Sequence, residues 1–403
     1  QMKTINIIEV TNKNRKQQFY DCARDIYADD PNWICPLDVE IESIFDPSHN
    51  TAFEHGASFR WIAVDADNNP IGRITAFFHK EKAMKHKPYA GGIGFFESIN
   101  DQEVANKLFD TAREWLIHQG MEAMDGPINF GENFLYWGLL LEGFTHQAYG
   151  MQYHKPYYRT LFENYGFKIY YKQYSYHVDL TKPFNERQVK FAKFIGRKKN
   201  YSFKHLEIKH ADKYIDDIVY IFNAVWSDFH EDYTPLEKKD IEQIFKDAKD
   251  VIIEDFIWLA YDNEKPIGLL VPFPDVNQII KPFNGKLNLW NKLRFMRRMR
   301  NPKVLTRARL LISGVIPEYQ RTGIIGPLFM KMVETLKQHG IKELEMSWVG
   351  DYNDTVNKLY KQMHNAERAK THATYRYLFD RNATFERFTN EKAPKEKKNK
   401  KNA

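Results

Sequence analysis

The chain has 403 residues, 43% of them hydrophobic and 15% aromatic, which is enough for well-packed cores in two or three domains. Its two cysteines, Cys22 and Cys35, exclude a disulfide framework and stand in no zinc or redox spacing, so a reducing cytoplasm is expected. The formal charge of +6 is uneven: residues 276–317 hold ten Lys and Arg with no Asp or Glu, and residues 391–403 hold six lysines against two glutamates, leaving the remainder net acidic.

In chain order, residues 5–10 read as a strand, 15–27 as a helix, and 59–65 with 71–79 as a hairpin across Asn68-Asn69. Residues 94–97 form a further strand. Val104, Leu108, Ala112, Trp115 and Leu116 then give helical spacing over 102–118, ended by Gly120. A strand at 121–124, a helix at 157–165 and an aromatic strand at 170–180 follow. The same order returns: a strand at 205–209, helices at 215–229 and 236–246, and a hairpin over 256–271. After the strand from Leu310 come a helix to Gly340, a strand at 343–349, a helix at 355–363 and a closing strand at 371–379. No uncharged apolar run approaches the roughly 20 residues of a membrane span, and the N-terminus lacks the layout of a signal peptide.

The return is a repeat in residues as well as in pattern. Trp61-Ile-Ala-Val-Asp and Asn69-Pro-Ile-Gly72 match Trp258-Leu-Ala-Tyr-Asp and Lys265-Pro-Ile-Gly268 at offsets of 197 and 196, and Leu161-Phe162 matches Leu359-Tyr360 at 198. Two copies of one α/β (α+β) unit with mixed, mostly antiparallel sheets are expected, at 1–180 and 181–390, with a basic disordered tail at 391–403.

In the second copy, an apolar run from Leu310 stops at Pro317, passes a turn holding Gly323 and Gly326, and opens into the helical spacing of Leu328 to Leu336. The first N–H groups of a helix have no partner within it, and the helix dipole places partial positive charge there. Such a strand, glycine turn and helix make a place for a phosphate.

Val315-Ile-Pro-Glu-Tyr-Gln320-Arg-Thr-Gly323 resembles the pyrophosphate loop of the GNAT superfamily of acyl-CoA N-acyltransferases, with Ile325 where the family has Gly or Ala and Gly326 one residue late. Asn353-Asp-Thr-Val-Asn-Lys-Leu359-Tyr360 is similar to its Asn-x-x-Ala-x-x-Leu-Tyr segment, although the usual Gly-Phe after it is replaced by His364-Asn365. The resemblance implies a tandem GNAT fold whose cofactor is acetyl-CoA or a longer acyl-CoA. Its diphosphate would lie on the amides of Gln320, Arg321, Thr322, Gly323, Ile324 and Gly326, its pantetheine arm by Asn353 in a splay between two strands, and its thioester carbonyl by the Val315 amide. Tyr360 would protonate the departing thiolate, and the general base is open among Glu345, Asp351, His364 and a water chain. The first copy has no glycine turn, and Lys155 and Phe162 stand where Asn353 and Tyr360 do, so it resembles the fold without a cofactor site.

The acid-free segment 279–309 mixes Trp290, Phe295 and Met296 with its cations. This suits peripheral contact with an anionic inner membrane surface or a lipidic substrate, or equally a helix whose apolar side packs on the core. An insertion at 131–144 suits either an apolar pocket or core packing. No metal motif, nucleophile elbow, Walker loop or dinucleotide fingerprint is present. The expectation is transfer of an acetyl or longer acyl group to a small-molecule or lipid amine such as a sphingoid base, the alternative being a catalytically silent binding protein of the same fold. Nucleic-acid binding through the basic stretches is set aside for want of a reading fold.

Overall fold

The computed structural model describes residues 3–132, 134–227, 235–362 and 366–389. The first half runs β1 (Asn6–Glu9), α1 (Lys13–Ile26), α2 (Asp38–Ile44), β2 (Gly56–Val64), β3 (Pro70–His79), the one-turn α3 (Lys80–Ala83) and β4 (Ala90–Ser98). It continues through α4 (Gln102–His118), β5 (Ala123–Gly126), β6 (Leu139–Glu142), α5 (Tyr158–Tyr165) and β7 (Lys168–Asp179). After α6 (Glu186–Gly196) come β8 (Tyr201–His205), α7 (Ala211–Trp226), α8 (Lys238–Asp247), β9 (Trp258–Asp262) and β10 (Lys265–Pro274). The short α9 (Val276–Ile280), α10 (Leu289–Met299), β11 (Arg307–Val315), α11 (Ile325–Gln338), β12 (Glu343–Gly350), α12 (Asp354–Gln362) and β13 (Glu367–Leu378) complete the second half.

All these strands belong to one sheet of order β1-β2-β3-β4-β5-β13-β7-β12-β11-β10-β9-β8, with β6 added beside β13. The order is a palindrome of the repeat: β1 to β5 mirror β8 to β12, and the two long terminal strands meet at the centre. Each terminal strand pairs into the other half. β7 runs antiparallel to β12 from Glu343↔Asp179 to Gly350↔Gln173, and β13 runs antiparallel to β5 from Tyr375↔Gly126 to Leu378↔Ala123. The sequence join near Thr181 is therefore no boundary in the sheet. Only β4–β5 and β11–β12 are parallel, as a mixed, mostly antiparallel α/β sheet requires.

The helices follow their apolar spacing. On α4, Val104, Leu108, Ala112 and Leu116 recur every fourth residue and are buried in the first half's core. On α11, Leu328, Phe329, Met332, Val333 and Leu336 do the same in the second, each worth about 1.5–3 kcal/mol of burial. Some boundaries move. The strand expected at 205–209 lies at Tyr201–His205, because its register with β9 starts at Tyr201↔Asp262, and Ile208–His210 form a 3-10 turn. The helix expected at 215–229 begins at Ala211, and Phe229, Met363 and the tail at 391–403 lie outside the described residues. No helix among the described residues is long and apolar enough to cross a membrane.

Candidate functional site

The two parallel strands of the second half part company. β11 and β12 pair from Arg307↔Glu343 to Leu310↔Met346 and no further. Beyond that point β11 stays with β10 as far as Gly268↔Val315, while β12 leans to β7. A wedge opens between residues 311–315 and 347–350. Ile316 N donates to Ile267 O at 3.0 Å, and strand N–H groups alternate in direction, so the Val315 N–H points into the wedge. Val315 O, on the same side, accepts from Gln320 Nε2 at 3.1 Å.

The turn beneath it is built for a close approach. After the 3-10 turn Pro317–Tyr319, Gly323 adopts φ +78, where a side chain is strained, and an added Cβ would meet the Phe191 ring at 2.9 Å. Thr322 Oγ1 donates to Tyr319 O at 2.6 Å. α11 then starts at Ile325 without a side-chain cap, Ile324 N donating to Thr322 Oγ1 at 3.4 Å and Gly326 N to Gly323 O at 3.1 Å. In the first half, Asp101 caps α4, its Oδ1 accepting from Glu103 N at 2.9 Å and Val104 N at 3.4 Å. The first half's helix thus carries a carboxylate cap where α11 has none. Gly326, the displaced family glycine, lets α6 pack close, with Ala192 Cβ at 3.4 Å from its would-be Cβ.

Tyr360 lies on α12, buried, facing Ser313 of β11 and meeting Tyr176 of β7 edge-on at 5.4 Å. Burial pushes its phenol up to about 12 while the Ser313 hydroxyl pulls it back, so it stays protonated at neutral pH. Tyr176 Oη donates to Asn357 Oδ1 at 2.7 Å, and Asn357 Nδ2 donates to Gly350 O at 2.9 Å. The exchanged strand of the first half therefore braces the helix that carries Tyr360. Asn353 spends its side-chain oxygen on α12, accepting from Val356 N at 3.2 Å, and faces the cavity described next.

A cavity of about 2290 Å³ joins the wedge to the first half. Val315, Gln320, Ile325, Asn353 and Tyr360 line one end of it; Arg321, Thr322, Gly323, Ile324 and Gly326 are not on its wall. Its long sides are apolar, carrying Phe222 and Val225 of α7, Ile244 of α8, and Phe295 and Met299 of α10. Glu40, Glu132, Tyr136 and Tyr149 close it from the first half.

The carboxylates expected as bases fare differently. Glu345 is buried off the cavity wall, turned toward Lys370, Arg307 and His177. Asp351 reaches the cavity but pairs with Arg387. His364 lies outside the described residues. Glu132, missed in the sequence, is on the wall. Its Oε2 accepts from Phe134 N at 2.5 Å and Leu135 N at 3.3 Å, and its Oε1 from Asn129 Nδ2 at 3.2 Å. Burial raises its carboxyl to about 7, against the pull of these donors and of Arg309.

Arg309 fixes this loop to the wedge. Fully buried on β11, it donates through Nε to Ser347 Oγ at 2.8 Å, through Nη1 to Tyr149 O at 2.7 Å and through Nη2 to Phe134 O at 2.7 Å. Burial lowers its guanidinium to about 10. Tyr136, in the same loop, is held at φ +55, a strain of about 1–3 kcal/mol for a bulky residue. The one sequence signal for this region was the insertion at 131–144. It divides between the two roles open to it, since residues 139–142 become β6 while Glu132 and Phe134 to Tyr136 face the cavity.

Comparison with known proteins gives the same picture. Residues 218–364 match the family model described as Acetyltransferase (GNAT) family. Protein YghO of Escherichia coli (strain K12) is 28% identical over 378 residues, covering 90% of this chain and 93% of that one. The bacterial ceramide synthase of Caulobacter vibrioides (strain NA1000 / CB15N) is 26% identical over 382 residues, covering 92% and 97%. Among solved structures, a tandem GNAT protein from the clavulanic acid biosynthesis pathway, solved without AcCoA, superimposes with a TM-score of 0.56 at 10% identity, over 93% of this chain and 99% of that one. A GCN5-related glucosamine N-acetyltransferase region of a fungal multi-domain β-N-acetylglucosaminidase gives 0.60 at 12% identity, this chain spanning 38% of that longer protein.

Proposed function

From the premise that this chain belongs to the GNAT family as a tandem N-acyltransferase, we propose that it transfers an acyl group from coenzyme A to the amine of an acceptor with a long apolar tail. The observation that carries this reading is the cavity. A single small-molecule site occupies roughly 300–1,000 Å³, and here about 2290 Å³ runs from Tyr360 along apolar walls. Such a space suits an acyl-pantetheine arm and a lipid amine together. The relative named as a bacterial ceramide synthase supports a sphingoid-type amine.

In this reading the turn before α11 and the positive end of that helix's dipole hold the diphosphate of the acyl-CoA. The Val315 N–H, aimed into the wedge, polarises the thioester carbonyl. Glu132 takes the proton of the acceptor's ammonium, leaving a neutral amine to attack the carbonyl carbon and form the amide as the carbon–sulfur bond breaks. Tyr360 gives its proton to the thiolate, and the second amine proton, shed from nitrogen as the amide forms, restores the tyrosinate. Residues of the two halves thus act on opposite ends of one reaction.

The test is product formation. Purified protein is incubated with acetyl-, octanoyl- or palmitoyl-CoA and either a short soluble amine or a sphingoid base, and products are read by mass spectrometry. Amide formed with the sphingoid base far faster than with the short amine supports the reading; transfer to the short amine alone removes the lipid acceptor. Ile325, where the family has Gly or Ala, favours a silent binding protein. A raised melting temperature with acyl-CoA but no product from any pair would establish that alternative.

A further inference from the structure

α10 is an amphipathic helix facing the wrong way for a soluble surface. Leu289, Leu293 and Met296, spaced i, i+4, i+7, form one stripe and are 76%, 50% and 52% exposed, with Trp290 beside them at 68%. Its polar Asn291 is instead buried, donating through Nδ2 to Lys286 O at 2.8 Å. Arg298 also turns inward, its Nε and Nη2 each donating at 2.9 Å to backbone carbonyls of α9.

The cations left outside frame the apolar stripe. Lys281, Lys292, Arg297, Arg300 and Lys303 are exposed, and no Asp or Glu occurs between residues 276 and 317 to offset them. The same stripe borders the cavity, for Leu289, Leu293 and Met296 line it alongside the buried-side Phe295 and Met299. The exposed apolar surface and the cavity wall are continuous across one helix.

We propose that the outer face of α10 seats on an anionic lipid bilayer, its leucines, Met296 and Trp290 entering the headgroup boundary and its cations pairing with lipid phosphates, so that the cavity opens onto the membrane. The charge argues for the partner: a basic rim around an apolar centre is complementary to acidic headgroups over acyl chains, whereas nucleic acid would leave four exposed apolar side chains without a counterpart. Seating stands by itself. Delivery of an acceptor through this opening rests on the acyl-transfer reading above.

Sedimentation of the full chain with extruded vesicles, without any acyl donor, tests the seating. Vesicles with about 30 mol% phosphatidylglycerol are expected to bind the protein at least about tenfold better than phosphatidylcholine alone. The double variant Leu293→Glu, Met296→Glu should lose that binding while keeping its melting temperature. Lys292→Glu with Arg297→Glu should remove the preference for anionic lipid. Phe194→Glu, which removes an exposed aromatic 66% accessible on the distant α6, should change nothing. Vesicle binding that survives both α10 variants, or is lost only with Phe194→Glu, overturns the proposal; so does retention of single-stranded RNA in place of anionic vesicles. Because no turnover is measured, a failed acyl-transfer reading leaves these outcomes unaltered.

Discussion

In the proposed mechanism Tyr360 and Glu132 divide the proton work, and each gives a distinct prediction. Tyr360→Phe keeps the ring packing on Tyr176 and removes only the hydroxyl, so kcat should fall by about 10²–10³-fold with acyl-CoA affinity unchanged, measured by steady-state kinetics and calorimetry. Glu132 must be ionised to accept a proton, so wild-type kcat/KM should rise with pH through about 7; in Glu132→Gln that limb should vanish along with most of the activity. Stability gives a readout independent of turnover. A carboxyl raised in the folded state favours folding most below its unfolded value near 4.5 and loses that advantage as pH rises through about 7. Glu132→Gln should therefore gain on wild type between pH 5 and 8, by on the order of 2 kcal/mol, in paired thermal melts. Tyr360 was legible because its helix segment carries a family spacing. Glu132 was not, since no local pattern says that a loop 180 residues before the wedge is pinned to it by Arg309. The position of Glu345 was hidden for a related reason: proximity in sequence to the wedge strand could not show that its carboxyl lies off the cavity wall, in the field of Lys370 and Arg307.

At the level of elements, the two equivalent helix starts make a controlled comparison. α4 is capped by Asp101 and α11 has no side-chain cap, so substitutions at the two should have opposite signatures. Gly323→Val forces a β-branched residue to φ +78 and into the Phe191 ring, and should weaken CoA binding at least about tenfold by calorimetry. Asp101→Ala should cost about 1 kcal/mol of stability in denaturant melts without touching CoA affinity. The strand, turn and helix were readable because an apolar run, two glycines and a 3.6-residue period follow one another without interruption. The shift of the second glycine to Gly326 was readable but not explicable. Gly326 packs against Ala192 of α6, a helix whose exposed Phe191 and Phe194 blur its amphipathic period. α10 was obscured likewise, because a stripe of apolar residues marks a helix face in sequence and leaves open whether that face is turned inward or out.

For the whole molecule, the repeat was legible and its interlocking was not. Constant offsets near 197 identify two copies, but β7 and β13 have equal length, so nothing local decides which half each completes. The pairing makes a prediction. A chain ending at residue 180 leaves β7 without β12 and β5 without β13, and should fail to give a cooperative melt alone. Residues 1–180 and 181–403 expressed together should reassemble and recover acyl-CoA binding; two independently folded, separately active pieces would contradict the exchange. In the full chain, far-ultraviolet and near-ultraviolet signals should fall together in urea.

Exchanged terminal strands also bear on how such a gene can change over generations. Deleting the first copy would remove β7 from beside β12 and Tyr176 from beside Tyr360, so a shortened gene is expected to encode a second copy that does not fold alone. Point mutation is freer, because Phe162 and Asp101 fill the places of a donor and an anion without disturbing a strand. The first copy's chemistry is therefore open to drift while its frame is inherited whole, and its loops become raw material for shaping the surviving site, as the reach of Glu132 into the shared cavity illustrates.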